Sequence, residues 1–174
     1  MAAYPKVVAF DLDYTLWPYW VDTHIDPPLK RRNDALNEVV DRSGQKLSFF
    51  PHVPSILLGL REKGVHIAAA SRTCAPTVAR QALRELMLDT GKTNSSKSPR
   101  QTGRASQAQS VAKAISTSRR SPALFDQLEI YPGSKVEHFR KIAQESGVDY
   151  GDMSTYIGSP VFFDDESRNG TLRD

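Results

Sequence analysis

Short apolar runs along the chain alternate with segments in which apolar residues recur at helical spacing. The run KVVAF at residues 6–10 is rich in β-branched residues and is followed at once by an acidic residue, which predicts a buried parallel strand. Similar runs predict further strands at residues 65–70, 124–131 and 161–163. We therefore expect a sheet with four buried strands.

Helical spacing of apolar residues predicts helices between these strands, at residues 54–63, 76–88 and about 134–146. Gly64 and Gly147 stand just beyond the first and last of them, where a glycine commonly ends a helix, and Ser134 stands at the N-cap of the last. Strands that alternate with helices indicate right-handed crossovers and a parallel sheet. The expected fold is a three-layer, Rossmann-like α/β domain.

A smaller element is predicted at residues 38–50 (EVVDRSGQKLSFF). Two β-prone runs flank a polar stretch in which Gly44 can take a positive φ, the pattern of a β-hairpin. Such a hairpin is a small flap, so we expect no large cap domain.

Composition is that of one globular domain: 174 residues, 39% of them hydrophobic and 25% charged. One Cys cannot build a disulfide framework, and the four His residues lack the spacing of a zinc site. The apolar runs are far shorter than the roughly 18 residues of a membrane span. We expect an intracellular protein, cytoplasmic or nuclear, with no membrane partner.

Residues 90–122 differ in composition from the rest of the chain. Seven of the 23 Lys and Arg residues lie there, and none of the 20 Asp and Glu residues does. The segment is rich in Ser, Thr and Gln and has few large apolar side chains, so it cannot offset its own ordering entropy. We predict a disordered or weakly helical basic insertion. It carries no nucleic-acid-binding motif, so we expect no nucleic-acid partner.

Candidate chemistry lies where the predicted strands end. Asp11 and Asp13 are only two residues apart in the sequence. Two carboxylates at that spacing repel each other and favour a bound cation. Because the carboxyl ends of parallel strands meet at one edge of a sheet, these polar side chains are expected to converge there. They are Asp11 and Asp13 after the first strand, Ser71 after the second, Lys135 after the third, and Asp164 and Asp165 after the last.

The strings around these positions resemble the four motifs of the haloacid dehalogenase (HAD) superfamily: VVAFDLDYT, AAASRT, YPGSK and FFDDE, in that order. The longer stretches DLDYTLWPYWVDTHIDPP and FFDDESRN resemble the eukaryotic magnesium-dependent phosphatases of that superfamily. The resemblance covers about residues 4–88, 124–153 and 161–169. It implies an acid phosphatase or protein-tyrosine-phosphatase-like hydrolase, acting on phosphotyrosine-like or sugar phosphate groups of a small molecule or a phosphoprotein.

The resemblance also implies a role for each motif residue. Asp11 would attack phosphorus to form an aspartyl-phosphate, and Asp13 would act as general acid and then as general base. Ser71 and Lys135 would bind the phosphoryl group. Arg72 would be either a second phosphate ligand or a surface ion-pair partner, and Thr15 would fix the loop.

The cofactor that the resemblance implies is Mg²⁺, which prefers oxygen ligands. The implied ligands are the side chain of Asp11, the backbone carbonyl of Asp13 and the carboxylate of Asp164. Asp165, the second acid of that motif, would lie next to the direct ligands and support the metal site from there.

Four aromatic residues near the first motif can be interpreted in two ways. The aromatic cluster of Tyr14, Trp17, Tyr19 and Trp20 is either core or the wall of a substrate entrance, and core is the default. His24 is expected to be structural.

Cys74 and Arg80 have the spacing of the cysteine-dependent tyrosine phosphatases. CAPTVAR lacks glycine, however, and Pro76 supplies no N–H to a phosphate-binding loop. We therefore attribute this spacing to chance.

The chain departs from the family pattern in the basic insertion, in a short addition at residues 154–160, and in ending at Asp174, where C-terminal elements of the family are expected to be missing. These departures leave one alternative open. The chain could be a catalytically impaired HAD-like protein that binds partners through its basic insertion.

Overall fold

The computed structural model describes residues 5–32, 34–89, 118–148 and 162–163. In chain order the elements are β1 (Val7–Phe10), α1 (Val21–His24), β2 (Val39–Val40), β3 (Lys46–Leu47), α2 (Val53–Glu62), β4 (His66–Ser71), α3 (Pro76–Glu85), β5 (Met87–Asp89), β6 (Ser118–Arg120), a 3-10 turn (Ser121–Leu124), β7 (Gln127–Ile130), α4 (Lys135–Ser146) and β8 (Phe162–Phe163).

A four-stranded parallel sheet lies at the centre, in the spatial order β7-β4-β1-β8. In the pairing of β1 with β4, Phe10 lies beside Ala69. On the other side of β1, Phe10 lies beside Phe163 of β8. The four strands therefore end at a common edge, and the predicted parallel α/β sheet is confirmed.

Alternation along the two central strands produces the three layers. Val8 and Phe10 of β1 pack into a large core that also includes Leu57 of α2 and Leu83 of α3. The intervening residues of β1 and β4 face the opposite side, where they pack against Phe139 and Ile142 of α4. Both central strands are thus buried on both faces, as their near-continuous apolar sequences predict.

The helix ends follow the caps predicted from the sequence. The Ser134 side chain accepts a hydrogen bond from the Glu137 N–H at the start of α4, and Gly147 ends that helix with a φ of 68°. Gly64 follows α2 with a φ of 70°. No helix in the described part of the chain has the length and apolarity that a membrane span requires.

The predicted flap is confirmed as the antiparallel pair β2 and β3, in which Val39 lies beside Leu47. Gly44 in its turn has a φ of 96°. The Asp41 carboxylate accepts hydrogen bonds from the backbone N–H groups of Asp26 and Gln45, both at 2.8 Å, and these bonds lower its pKa against the effect of burial. Within the described residues between β1 and α2, the flap and α1 stand where a large cap domain would lie.

The predicted helix over residues 76–88 is too long. α3 ends at Glu85, Leu86 is extended with a ψ of 132°, and β5 follows at Met87–Asp89. Leu86 and Leu88 are both fully buried while Asp89 is exposed, which is the two-residue period of a strand. β5 pairs with β6, so a distant segment fixes its conformation.

The strand predicted over residues 124–131 is correspondingly shorter, because the 3-10 turn occupies Ser121–Leu124 and β7 begins at Gln127. Asp126 precedes it and accepts a hydrogen bond from the Ile67 N–H of β4 at 2.8 Å. Residues 118–122 of the predicted disordered or weakly helical insertion form β6 and the start of the 3-10 turn. Residues 90–117 and the addition at 154–160 lie outside the described residues.

Candidate active site

An open cleft of about 460 Å³ lies at the carboxyl edge of the sheet. It is where open α/β sheets bind ligands, because the loops after neighbouring strands diverge there. Residues from the ends of β1, β4 and β7 and from α1 line it: Asp11, Asp13, Trp20, Asp22, Thr23, Ser71, Arg72, Thr73, Cys74, Pro132 and Gly133. The structure therefore brings Asp11, Asp13, Ser71 and Arg72 to one cavity.

The chain turns sharply after β1. The Leu12 carbonyl accepts hydrogen bonds from the N–H groups of Thr15 and Leu16, at 3.2 and 2.8 Å. Tyr14 has a φ of 54°, a left-handed conformation that is costly for a bulky aromatic residue. This turn brings both Asp11 and Asp13 to the cleft while Leu12 between them is fully buried.

Asp13 is a buried carboxyl group with two hydrogen-bond donors on one oxygen. Its Oδ1 accepts from the Trp17 indole Nε1 at 2.8 Å and from the Val21 backbone N–H at 3.4 Å. Burial raises the pKa of Asp13 to about 6, although these two hydrogen bonds act in the opposite direction. A carboxyl group with this pKa can both donate and accept a proton near neutral pH.

Lys135, the first residue of α4, lies directly behind Asp11. Its Nζ is 3.0 Å from Asp11 Oδ1 and donates a hydrogen bond to the Ala70 carbonyl of β4. Both side chains are largely buried, with 4% of Lys135 and 11% of Asp11 exposed. The ion pair therefore places a buried positive charge beside Asp11, the predicted nucleophile, which itself lines the cleft.

Ser71 ends β4 and is almost fully buried. Its hydroxyl oxygen accepts a hydrogen bond from the Thr73 N–H at 3.4 Å, and the Thr73 hydroxyl accepts one from the Ala75 N–H at 3.2 Å just before α3. These bonds hold the loop after β4 against the cleft.

The acidic residues of the last motif lie outside the described residues. β8 pairs with β1 so that Phe163 lies beside Phe10, and Asp164 is the next residue in the sequence. Asp164 and Asp165 as metal ligands therefore stay predictions.

The aromatic cluster divides between core and cleft. Trp17 is fully buried and stacks on Phe49, with ring centroids 5.9 Å apart. Trp20 is 46% exposed and lines the cleft, and its ring stacks on that of His24. Tyr14 packs edge-on against Trp20, at 5.2 Å between ring centroids. Of the two interpretations of the aromatic cluster, the core applies to Trp17 and the wall of the substrate entrance applies to Trp20.

The alternative cysteine-dependent arrangement does not form. Cys74 is exposed and lines the cleft, but Arg80 lies on α3 and donates a hydrogen bond from Nη2 to the Leu128 carbonyl at 2.9 Å. A cysteine phosphatase needs both side chains on one phosphate, so the geometry agrees with chance spacing.

Asp22 is a cleft residue that sequence reasoning missed. It lies on α1, a four-residue helix too short for apolar periodicity to reveal. Its carboxylate accepts hydrogen bonds from the Thr23 hydroxyl at 3.0 Å and from the Cys74 N–H at 3.4 Å. Asp22 thus joins α1 to the loop after β4 across the mouth of the cleft.

Comparisons with a family model and with individual proteins point to the same family. The acid phosphatase family matches residues 3–173. A HAD-like hydrolase superfamily protein of Schizosaccharomyces pombe is 40% identical over 168 residues, which are 95% of this chain and 78% of that protein. Magnesium-dependent phosphatase 1 of Homo sapiens is 38% identical over 169 residues, which are 97% of this chain and 72% of the human protein. The chain belongs to the acid phosphatase family, within the HAD-like hydrolases.

Proposed function

We propose that this protein is a Mg²⁺-dependent phosphomonoesterase that works through an aspartyl-phosphate on Asp11. The observation that carries the proposal is that two carboxyl groups line a single cleft and that a buried lysine lies against one of them. Asp11 is 3.0 Å from Lys135 Nζ, and Asp13, two residues later, has a pKa raised to about 6. Family membership supports the same reaction class.

In the first step a carboxylate oxygen of Asp11 attacks phosphorus. An Asp11 O–P bond forms while the bond from phosphorus to the leaving oxygen breaks, and the electron pair goes to that oxygen. Protonated Asp13 donates its proton to the leaving oxygen, so the alcohol departs neutral.

In the second step ionised Asp13 accepts a proton from a water molecule, whose oxygen attacks the phosphorus of the aspartyl-phosphate. The Asp11 O–P bond breaks, inorganic phosphate leaves and the Asp11 carboxylate is regenerated. Asp13 recovers its proton in this step. A carboxyl group with a raised pKa suits both roles, because neither protonation state is strongly disfavoured near neutral pH.

Two groups stabilise charge on the transferring phosphoryl group in this proposal. Lys135 provides a cation that its hydrogen bond to the Ala70 carbonyl holds in place. The Ser71 hydroxyl donates to a phosphoryl oxygen from the end of β4.

The residues at the cleft fit Mg²⁺, because they offer carboxylate and carbonyl oxygens. We propose the Asp11 side chain and the Asp13 backbone carbonyl as ligands, together with Asp164 supported by Asp165. When bound, Mg²⁺ offsets the negative charge of the phosphoryl oxygens and of the attacking carboxylate.

The proposed substrates are phosphotyrosine-like or sugar phosphate monoesters. The cleft is open, and both Arg72 and the exposed ring of Trp20 line it. A flat aryl leaving group or the apolar face of a sugar can pack on this ring.

The proposal is tested by hydrolysis of an aryl phosphate with Mg²⁺ and with chelator, for the native protein, Asp11→Asn and Cys74→Ser. We expect activity to require Mg²⁺, to be lost in Asp11→Asn and to persist in Cys74→Ser. We also expect Mg²⁺ to raise the Tm of the native protein but not that of Asp11→Asn. Phosphate binding without turnover by the native protein would instead support the binding-protein alternative.

A further inference from the structure

Both hydrogen bonds described above for Asp13 reach the same oxygen. Trp17 Nε1 and the Val21 backbone N–H donate to Oδ1, at 2.8 and 3.4 Å. An unrestrained carboxyl group exchanges its two oxygens by rotation of its terminal torsion, which has broad, roughly two-fold preferences. Because both donors bind Oδ1, they prevent this rotation of the Asp13 carboxyl group.

The indole itself has no freedom to follow the carboxyl group. Trp17 is fully buried and stacks on Phe49, with an angle of 21° between the ring planes. Phe49 is fixed in turn, because its N–H donates to Asn37 Oδ1 at 3.0 Å. The indole N–H is therefore held at one position beside the cleft.

We infer that Trp17 is a positioning residue for catalysis: its indole N–H holds Asp13 Oδ1 and so assigns proton transfer to Oδ2. The inference rests on the proposed function, in which Asp13 protonates the leaving oxygen. Trp17 is then more than a core residue, although its ring also fills the core. Its indole N–H sets the direction in which the acid points.

Loss of the orientation of Asp13 and loss of core packing should change kcat/KM in different ways. Protonation matters little for a leaving oxygen of low basicity, such as that of nitrophenyl phosphate. It matters most for the strongly basic oxygen of an alkyl phosphate. Loss of orientation should therefore make kcat/KM more sensitive to the leaving group, whereas loosened packing should lower kcat/KM for every substrate by the same factor.

The test compares Trp17→Phe with Leu57→Val on nitrophenyl, phenyl and alkyl phosphates. Trp17→Phe keeps an aromatic ring and removes the N–H, whereas Leu57→Val loosens the same core and leaves both the indole N–H and the Phe49 ring that stacks on it. We expect the loss in kcat/KM for Trp17→Phe to be at least about tenfold larger on the alkyl ester than on the nitrophenyl ester. For Leu57→Val we expect equal losses on all three.

A second variant serves if Trp17→Phe does not fold. The chain has two tryptophans, so in a Trp20→Phe background a tryptophan auxotroph can replace Trp17 alone with its benzothiophene isostere, which lacks the N–H. The matched reference is Trp20→Phe with ordinary tryptophan at position 17. The same steeper dependence on the leaving group is expected.

Equal losses on all three esters in the N–H-deficient variant would overturn the inference while the proposed function stands. Native protein without activity that depends on Asp11 and Asp13 would overturn the proposed function, and this inference with it. Since kcat/KM reports steps only through the first phosphoryl transfer, the later role of Asp13 as a base does not enter the comparison.

Discussion

Asp11 Oδ1 and Lys135 Nζ lie 3.0 Å apart in a largely buried ion pair that joins the end of β1 to the first turn of α4. The lysine also donates a hydrogen bond to the Ala70 carbonyl, so it connects β1, β4 and α4 at one point. Removal of one partner from a buried pair leaves the other charge without compensation, which is costly. The pair therefore serves both the fold and the proposed chemistry.

Lys135→Met tests the contribution of this cation. Methionine keeps the length and apolar stem of the side chain, so the loss of charge is the main change. We expect kcat/KM to fall by about 10²–10³-fold, as for loss of one preorganised transition-state donor. Lys141→Met is the control, since Lys141 lies on the same helix and is 48% exposed. Equal activity of the two variants in steady-state assays would contradict the role of Lys135.

Trp20→Ala tests the proposed substrate class. The ring is at the cleft wall and 46% exposed, so its removal should leave stability nearly unchanged. If an aryl group stacks on it, KM for an aryl phosphate should rise by about 2- to 10-fold, in line with an aromatic contact of about 0.5–1.5 kcal/mol. KM for a small alkyl phosphate should change little. Equal KM changes for both substrates would show that Trp20 does not select aryl groups.

The positions of the strands and helices could be predicted from the sequence where the pattern is local. β1 and α4 are examples, because a β-branched run marks the former and Ser134 and Gly147 cap the latter. β5 could not be predicted, because its two-residue burial period depends on pairing with β6 across a long sequence separation. Residues 86–89 alone are too few to show a period.

The residues of the site also divide into those that the sequence alone could place and those that it could not. Motif residues at strand ends could be assigned to one edge because parallel strands end together, so Asp11 and Ser71 were expected at one cleft. Asp22 could not be assigned, because its helix is a single turn stabilised by tertiary contacts. The bond from Trp17 to Asp13 was equally hidden, since a tryptophan after the motif reads as core until the direction of its N–H is known.

Deletion of the basic segment tests whether it is needed for catalysis. Asp89 and Ser118 are partners in the antiparallel pair of β5 and β6, so an Asn-Gly turn can replace residues 90–117. We expect this variant to keep its Tm and to keep kcat/KM within about twofold.

Deletion of residues 90–122 is the comparison, because it also removes β6. That loss removes the backbone pairing of Leu88 with Arg119 and should lower the free energy of unfolding by about 0.5–1.5 kcal/mol for each ladder hydrogen bond lost. A folded Asn-Gly variant without activity would show that the basic segment takes part in the reaction.

The buried imidazole of His138 predicts a pH dependence of stability. Burial lowers the pKa of His138 below 6.5, while its Nε2 lies 3.1 Å from the Tyr131 carbonyl. The unfolded chain therefore binds a proton at His138 at a higher pH than the folded protein does. The contribution of His138 to stability is full above pH 6.5 and is lost as the pH falls below it.

Urea unfolding of His138→Gln at about pH 7.5 and about pH 5.5 measures this contribution, because glutamine keeps a side-chain N–H and does not titrate. The pH-dependent loss of stability should be smaller in His138→Gln than in the native protein. The control is His52→Gln, since His52 is exposed. A native-like loss in His138→Gln would contradict the prediction.

The most direct test of catalysis through Asp11 is to identify the residue that carries the phosphoryl group. Asp13→Asn should still react with nitrophenyl phosphate, whose leaving group needs little protonation, but should hydrolyse the intermediate slowly for lack of a base. After rapid quenching with Mg²⁺ present, peptide mass spectrometry should find one hydroxylamine-sensitive phosphoryl group on Asp11. Phosphate on Cys74, or rapid turnover by Asp11→Asn, would contradict phosphoryl transfer through Asp11.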